Sequence, residues 1–114
     1  MAGSKKCLDF GRDSARTECG VSYALDALSR KDVDLGAVRT GIETARVFAA
    51  RAAQHIEGSE KLAKAVARAA AEIDGEIKGL SKLPPAKAAE LRSSVEKLKE
   101  KARRLFKKGE EACG

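Results

Sequence analysis

Asparagine and tryptophan are absent from the 114 residues, and glutamine, histidine and methionine occur once each, at Gln54, His55 and Met1. Few thermolabile amides beside abundant Glu, Lys and Arg is the pattern reported for hyperthermophile proteins. With 35% charged residues, the composition points to a thermophile, a hot-living source. Aromatic residues are nearly missing as well, with one Tyr and three Phe. That argues against single-strand recognition by stacking platforms, which present an aromatic face to successive bases.

Long apolar runs are also lacking. Charges interrupt every stretch well before the ~18 consecutive apolar residues of a membrane-crossing helix accumulate. No apolar segment of the signal-peptide kind follows the polar residues 1–6. A soluble, cytoplasmic chain with no membrane partner is the expectation.

The sequence is equally bare of chemistry-bearing motifs. It contains no GxGxxG or GxxxxGK[ST] loop to cradle phosphates. No CxxC, HxxxH or Cys–His cluster occurs at metal-ligand spacing. Glu72 and Glu76 are paired carboxylates one turn apart, but Lys and Arg neighbours make them members of a surface ion-pair lattice. Arg51 and His55 also stand one turn apart. Such a pair can hold a phosphate and move a proton, yet one i,i+4 pair is too weak to define a site. The simpler reading is a histidine near a helix end, where it complements the helix dipole. No catalytic residue, cofactor, metal or small-molecule substrate is assigned, and the chain is expected not to be an enzyme.

What is present is alanine. There are 21 Ala against 23 Leu, Ile, Val and Phe together. Alanine favours helices because it loses no side-chain entropy and buries no polar group. It fills little space, so helices rich in it must approach closely, and the core is thin for its length.

The apolar period predicts four helices, about residues 10–29, 34–57, 59–80 and 84–108. The second carries the seam Leu35, Val38, Ile42, Ala45, Ala49, Ala52, Ile56, an unbroken 3-4 alternation that marks lengthwise helix packing. Asp34 is its expected cap and Gly58 its stop. The third, capped by Ser59, carries Leu62, Val66, Ala69, Ile73, Ile77 and Leu80. The last follows Pro84 and Pro85, which suit a first helical turn. Its seam is Ala88, Leu91, Val95, Leu98, Ala102 and Leu105, and Gly109 is its expected end. The first helix is the least regular. Thr17, Val21, Ala24, Leu25 and Leu28 line it, Asp9 or Asp13 is the expected cap, and Gly20 interrupts it. The first eight residues and the last five are expected to be loose. Short links imply antiparallel neighbours. The expected fold is therefore all-α, a single domain over 1–114, built as an alanine-rich, antiparallel, up-down-up-down four-helix bundle with short loops.

In that topology Cys7, just before helix 1, and Cys113, just after helix 4, meet at one end. They are a candidate disulfide. Cytosolic disulfides are rare in mesophiles but real in hyperthermophiles, so this expectation leans on the composition. Cys19 is left odd. It shares a helix face with Ala15 and Tyr23, and either packs in a second groove as a small hydrophobe or pairs with a symmetry mate.

The formal net charge is +6, and residues 97–108 alone hold seven cations against Glu100. Charge gathered on one element suits phosphate contact. The candidate nucleic-acid contacts are Lys97, Lys101, Arg103, Arg104, Lys107 and Lys108. On a helical wheel, however, these cations flank the seam on both sides and form no single stripe. Cations in the last turns also complement the helix dipole without any ligand. The leading expectation is an interaction or assembly protein, engaging a protein partner or forming a homo-oligomer. Helices 2 and 3 support it, because Ala49, Ala50, Ala52, Ala53 and Ala67, Ala69, Ala70, Ala71 give more apolar arc than one thin seam consumes. The alternative is a basic RNA- or DNA-binding protein, an accessory subunit of a ribonucleoprotein or chromatin complex, acting through helix 4.

Overall fold

Ser4 opens the first helix. Its backbone is extended, and its hydroxyl accepts from the amide of Cys7 at 3.2 Å, satisfying one of the free N–H groups of a helix start. In the computed structural model, which describes residues 4–113, α1 runs Lys5–Leu28, α2 Leu35–Ala52, α3 Glu60–Lys78 and α4 Pro85–Cys113. No strand occurs among the described residues. α1 packs on α2 and α4, α2 packs on α3, and α3 packs on α4, giving an all-helical bundle of 48 × 21 × 18 Å.

The seams set the core. All six seam residues of α4 are buried, as are Val38, Ile42, Ala45, Ala49 and Ala52 of α2. On α3 the buried stripe is Ala63, Val66, Ala70, Ile73 and Ile77, while Leu62, Ala69 and Leu80 are only half-buried. Alanine on both sides of Val66 lets the helix rotate slightly without losing apolar contact. On α1, Phe10 joins Thr17, Val21, Ala24 and Leu28 inside, and Leu25 sits at the edge.

Two glycines expected to interrupt or end helices instead allow close contact. Gly20 is buried mid-α1, where a Cβ would stand 2.7 Å from the carbonyl oxygen of Gly41. The α1 and α2 backbones touch there because neither residue has a side chain. Gly109 lies inside α4, where a Cβ would enter the ring of Phe10 at Cδ1. The helix continues to Cys113, so residues 110–113, expected to be loose, are helical, and Phe10 rests on Gly109, the expected stop. Residues 4–8, also expected to be loose, are covered by the Ser4 cap and the first turn of α1. Residues 1–3 and 114 lie outside the described residues.

The caps differ from expectation in three places. Asp9 and Asp13 fall within α1, since the chain is already helical at Lys5. α2 ends at Ala52, five residues early. The chain tightens there, with the amides of Gln54 and His55 donating to carbonyls three residues back, and turns at Gly58 with φ +91°. Ser59 holds the N-cap position of α3, but its hydroxyl donates to the Ile56 carbonyl at 2.6 Å and caps nothing. Asp34 does cap α2, accepting from Ala37 N at 3.2 Å, and Pro85 occupies the first position of α4.

Candidate interaction surfaces

α4 grips both ends of α1. The sulfurs of Cys7 and Cys113 lie at disulfide distance, 2.08 Å, with their Cα atoms 6.0 Å apart across 106 residues of sequence. At the far end, Arg92 Nη1 donates to the carbonyl of Leu28 at 3.3 Å, filling one of the acceptors a helix end leaves open. On the other side of the bundle, Arg39 Nε donates to Asp74 Oδ1 at 2.9 Å, linking α2 to α3 and raising the Arg39 pKa. Arg46, bonded to Glu43, holds that carboxyl below its ordinary range.

The cations of α4 do not converge. Lys97 and Lys101 line an open groove of about 430 Å³ between α3 and α4, facing Arg68, Glu72 and Glu76. Arg103 turns toward α1, its Nε 3.5 Å from Glu18 Oε1. Arg104 and Lys107 line the same side of α4 as Arg103, with Glu100 and Glu110 beside them. The Lys108 side chain extends toward Gly58 at the α2–α3 corner. Of the six candidate contacts, only Arg103 has an ion-pair partner within bonding range among the described residues.

His55 has a partner that sequence reasoning missed. Its Nε2 is 3.0 Å from Oδ2 of Asp13, a carboxylate only 3% exposed, and Arg12 Nε is 3.8 Å from the other oxygen. The Asp13–His55 contact joins α1 to the segment that leaves α2. The signal was available: Phe10, Asp13, Thr17 continue the inward 3-4 stripe of α1, so Asp13 had to face inside. Arg51 does not share this contact. It lies over the Phe48 ring at 5.0 Å from the centroid, and Arg16 lies over the same ring at 5.3 Å. The arrangement anchors α1 to α2. Among the described residues, no group of His, Cys, Asp and Glu is placed to hold a metal ion.

The outward face of α1 differs from the rest of the surface. Among the described residues, Leu8, 63% exposed, and Tyr23, 54% exposed, are the exposed large apolar side chains, and both lie on this helix. Cys19 is exposed between them, so of its two expected places the second groove is overturned. Inward positions of α1 are taken by Phe10, Thr17, Val21 and Ala24, and the 3.6-residue period leaves Cys19 pointing away.

No helix of the described residues is long and apolar enough to cross a membrane. The molecule is thus defined as an all-α helical bundle with a Cys7–Cys113 pair. No family model matches the chain, no curated protein is detectably similar to it, and no solved structure matches it.

Proposed function

We propose that this chain is a non-catalytic assembly protein of the cytoplasm of a hot-living organism, a single antiparallel up-down-up-down bundle that docks another chain through the outer face of α1. The pairing of Gly20 with Gly41, Arg39 with Asp74, and Cys7 with Cys113 supports the up-down order. The observation that carries the docking reading is that Leu8, Cys19 and Tyr23 are exposed along one face of α1, spread over about 22 Å of a surface otherwise rich in charge.

The test is the size of the chain in a native extract of the cells that make it. The assembly reading expects elution well above the 12.1 kDa monomer and a return to monomer size for Tyr23→Glu. Monomer-sized elution of the unaltered chain contradicts it.

A second reading, RNA or DNA contact through Lys97, Lys101, Arg103, Arg104, Lys107 and Lys108, is favoured by one observation: among the described residues, five of these six cations have no ion-pair partner. The acids on both flanks of α4 work against it. Binding seen only below ~50 mM salt and unchanged by reversing Arg103 and Arg104 removes this reading.

A further inference from the structure

We infer that the partner of the α1 outer face is a second copy of this chain, docked antiparallel about a two-fold axis at Cys19. This rests on the assembly reading and names its occupant. Where two copies of one helix cross antiparallel on such an axis, each residue before Cys19 faces the residue equally far beyond it in the other copy.

The face of α1 is complementary to itself under that operation. Seven residues, two helical turns, separate Cys19 from Arg12 on one side and from Asp26 on the other, so each Arg12 meets Asp26 of the second copy. Both side chains are exposed and of opposite charge. Each already holds a neighbour in its own copy: Arg12 bonds Asp9 at 3.2 Å, and Asp26 bonds Arg30, just past the end of α1, at 2.9 Å. The contact therefore joins two exposed pairs into a run of alternating charge, Asp9, Arg12, Asp26, Arg30. Four residues from the axis, the small Ala15 faces the large Tyr23, and Tyr23 faces Ala15. Leu8 falls opposite position 30, in the turn just past the end of α1 at Leu28, and the aliphatic stem of Arg30 is the apolar surface that turn offers it. Charge, size and apolar surface match in one register.

The spacing also fits. Packed helix axes stand about 8–10 Å apart, and Cα atoms lie about 2.3 Å from each axis. Facing Cα atoms on the two-fold axis are thus about 3.4–5.4 Å apart, which overlaps the ~4.4–6.8 Å span of a disulfide. Cys19 of each copy is a built-in reporter of the contact. One helix face is a small interface, so association is weak and depends on concentration.

The test uses the purified full chain. Sedimentation over a rising concentration series reads the dimer without chemistry. Diamide then reads its register: two Cys19 thiols give up two protons and two electrons, one S–S bond forms, and the azo group of diamide becomes a hydrazine. The expected result is a Cys19-linked dimer whose yield rises with protein concentration. Tyr23→Glu and Asp26→Arg, both at exposed positions, each lower dimer affinity about tenfold. Arg12→Glu combined with Asp26→Arg restores it. Equal linking in Asp26→Arg and the unaltered chain, or no rescue by the combined variant while it keeps its thermal midpoint, overturns the proposed register. A purified chain that stays monomeric at every concentration, yet elutes large in native extract, overturns the second copy and leaves the assembly reading standing. Monomer in both settings overturns both.

Discussion

Gly20 of α1 and Gly41 of α2 touch backbone to backbone: a Cβ on Gly20 would lie 2.7 Å from the Gly41 carbonyl oxygen, and one on Gly41 would lie 2.5 Å from the Gly20 carbonyl oxygen. This contact sets how closely the two helices approach. It also explains how a chain with so much alanine builds a core. Small residues let helices come close enough for Val21, Val38 and Ile42 to be fully buried.

Gly20→Ala and Gly41→Ala should therefore each destabilise the fold by about 1–3 kcal/mol through overpacking, although alanine is the better helix former. Gly75→Ala is the control. Nothing lies within 4 Å of its added methyl group, so it should stabilise by ~0.5–1 kcal/mol. Thermal or chemical unfolding of the three variants reads both signs. Equal effects at Gly20 and Gly75 would contradict the close approach.

The Cys7–Cys113 link closes a loop spanning 106 residues. In the chain-entropy account, a loop of that size contributes about 4–5 kcal/mol by restricting the unfolded chain. Intact mass should rise by two hydrogens on reduction. The reduced chain, or Cys7→Ser with Cys113→Ser, should unfold at much lower denaturant. An unchanged mass on reduction would show that the link is absent from the protein.

Asp13 is buried and depends on His55 for its one close side-chain partner. His55→Ala leaves the carboxylate with only Arg12 at 3.8 Å and should cost about 1–3 kcal/mol. Asp13→Ala should cost a similar amount. The double variant should cost less than the sum, because the two residues act as a pair. Strict additivity in unfolding measurements would dissolve the pair.

Reversing Arg103 and Arg104 to Glu should change stability by less than ~1 kcal/mol, since the Arg103–Glu18 contact is exposed. The assembly reading also expects sedimentation of the double reversal to match that of the unaltered chain. A change in oligomeric size would move the docking surface to α4.

The interiors of α2 and α4 were legible in the sequence, as were the Asp34 cap of α2 and the proline start of α4; several other ends were not. The seam of α4 is buried residue for residue, because its 3-4 alternation is unbroken and its apolar side chains are large. On α3, alanine on both flanks blurred the stripe by one position. Ends failed for a different reason. Gly109 resembles a stop locally, and only the ring of Phe10, distant in sequence, makes it a packing position. Gly20 likewise needs Gly41. Ser59 has a capping side chain, but the turn at Gly58 gives its hydroxyl a nearer acceptor. For the candidate surfaces, the divergence of the α4 cations followed from the helical wheel. The Asp13–His55 contact was hidden because α2 ends early, turning His55 back toward α1.

Photo-cross-linking from position 23 tests the central claim most directly. A benzophenone side chain in place of Tyr23, irradiated in the cells that make the protein, should yield a covalent adduct larger than the monomer. The same group at Glu96, exposed on α4, should yield none. Adducts from position 96 but not from position 23, or from neither, would contradict a docking face on the outer side of α1.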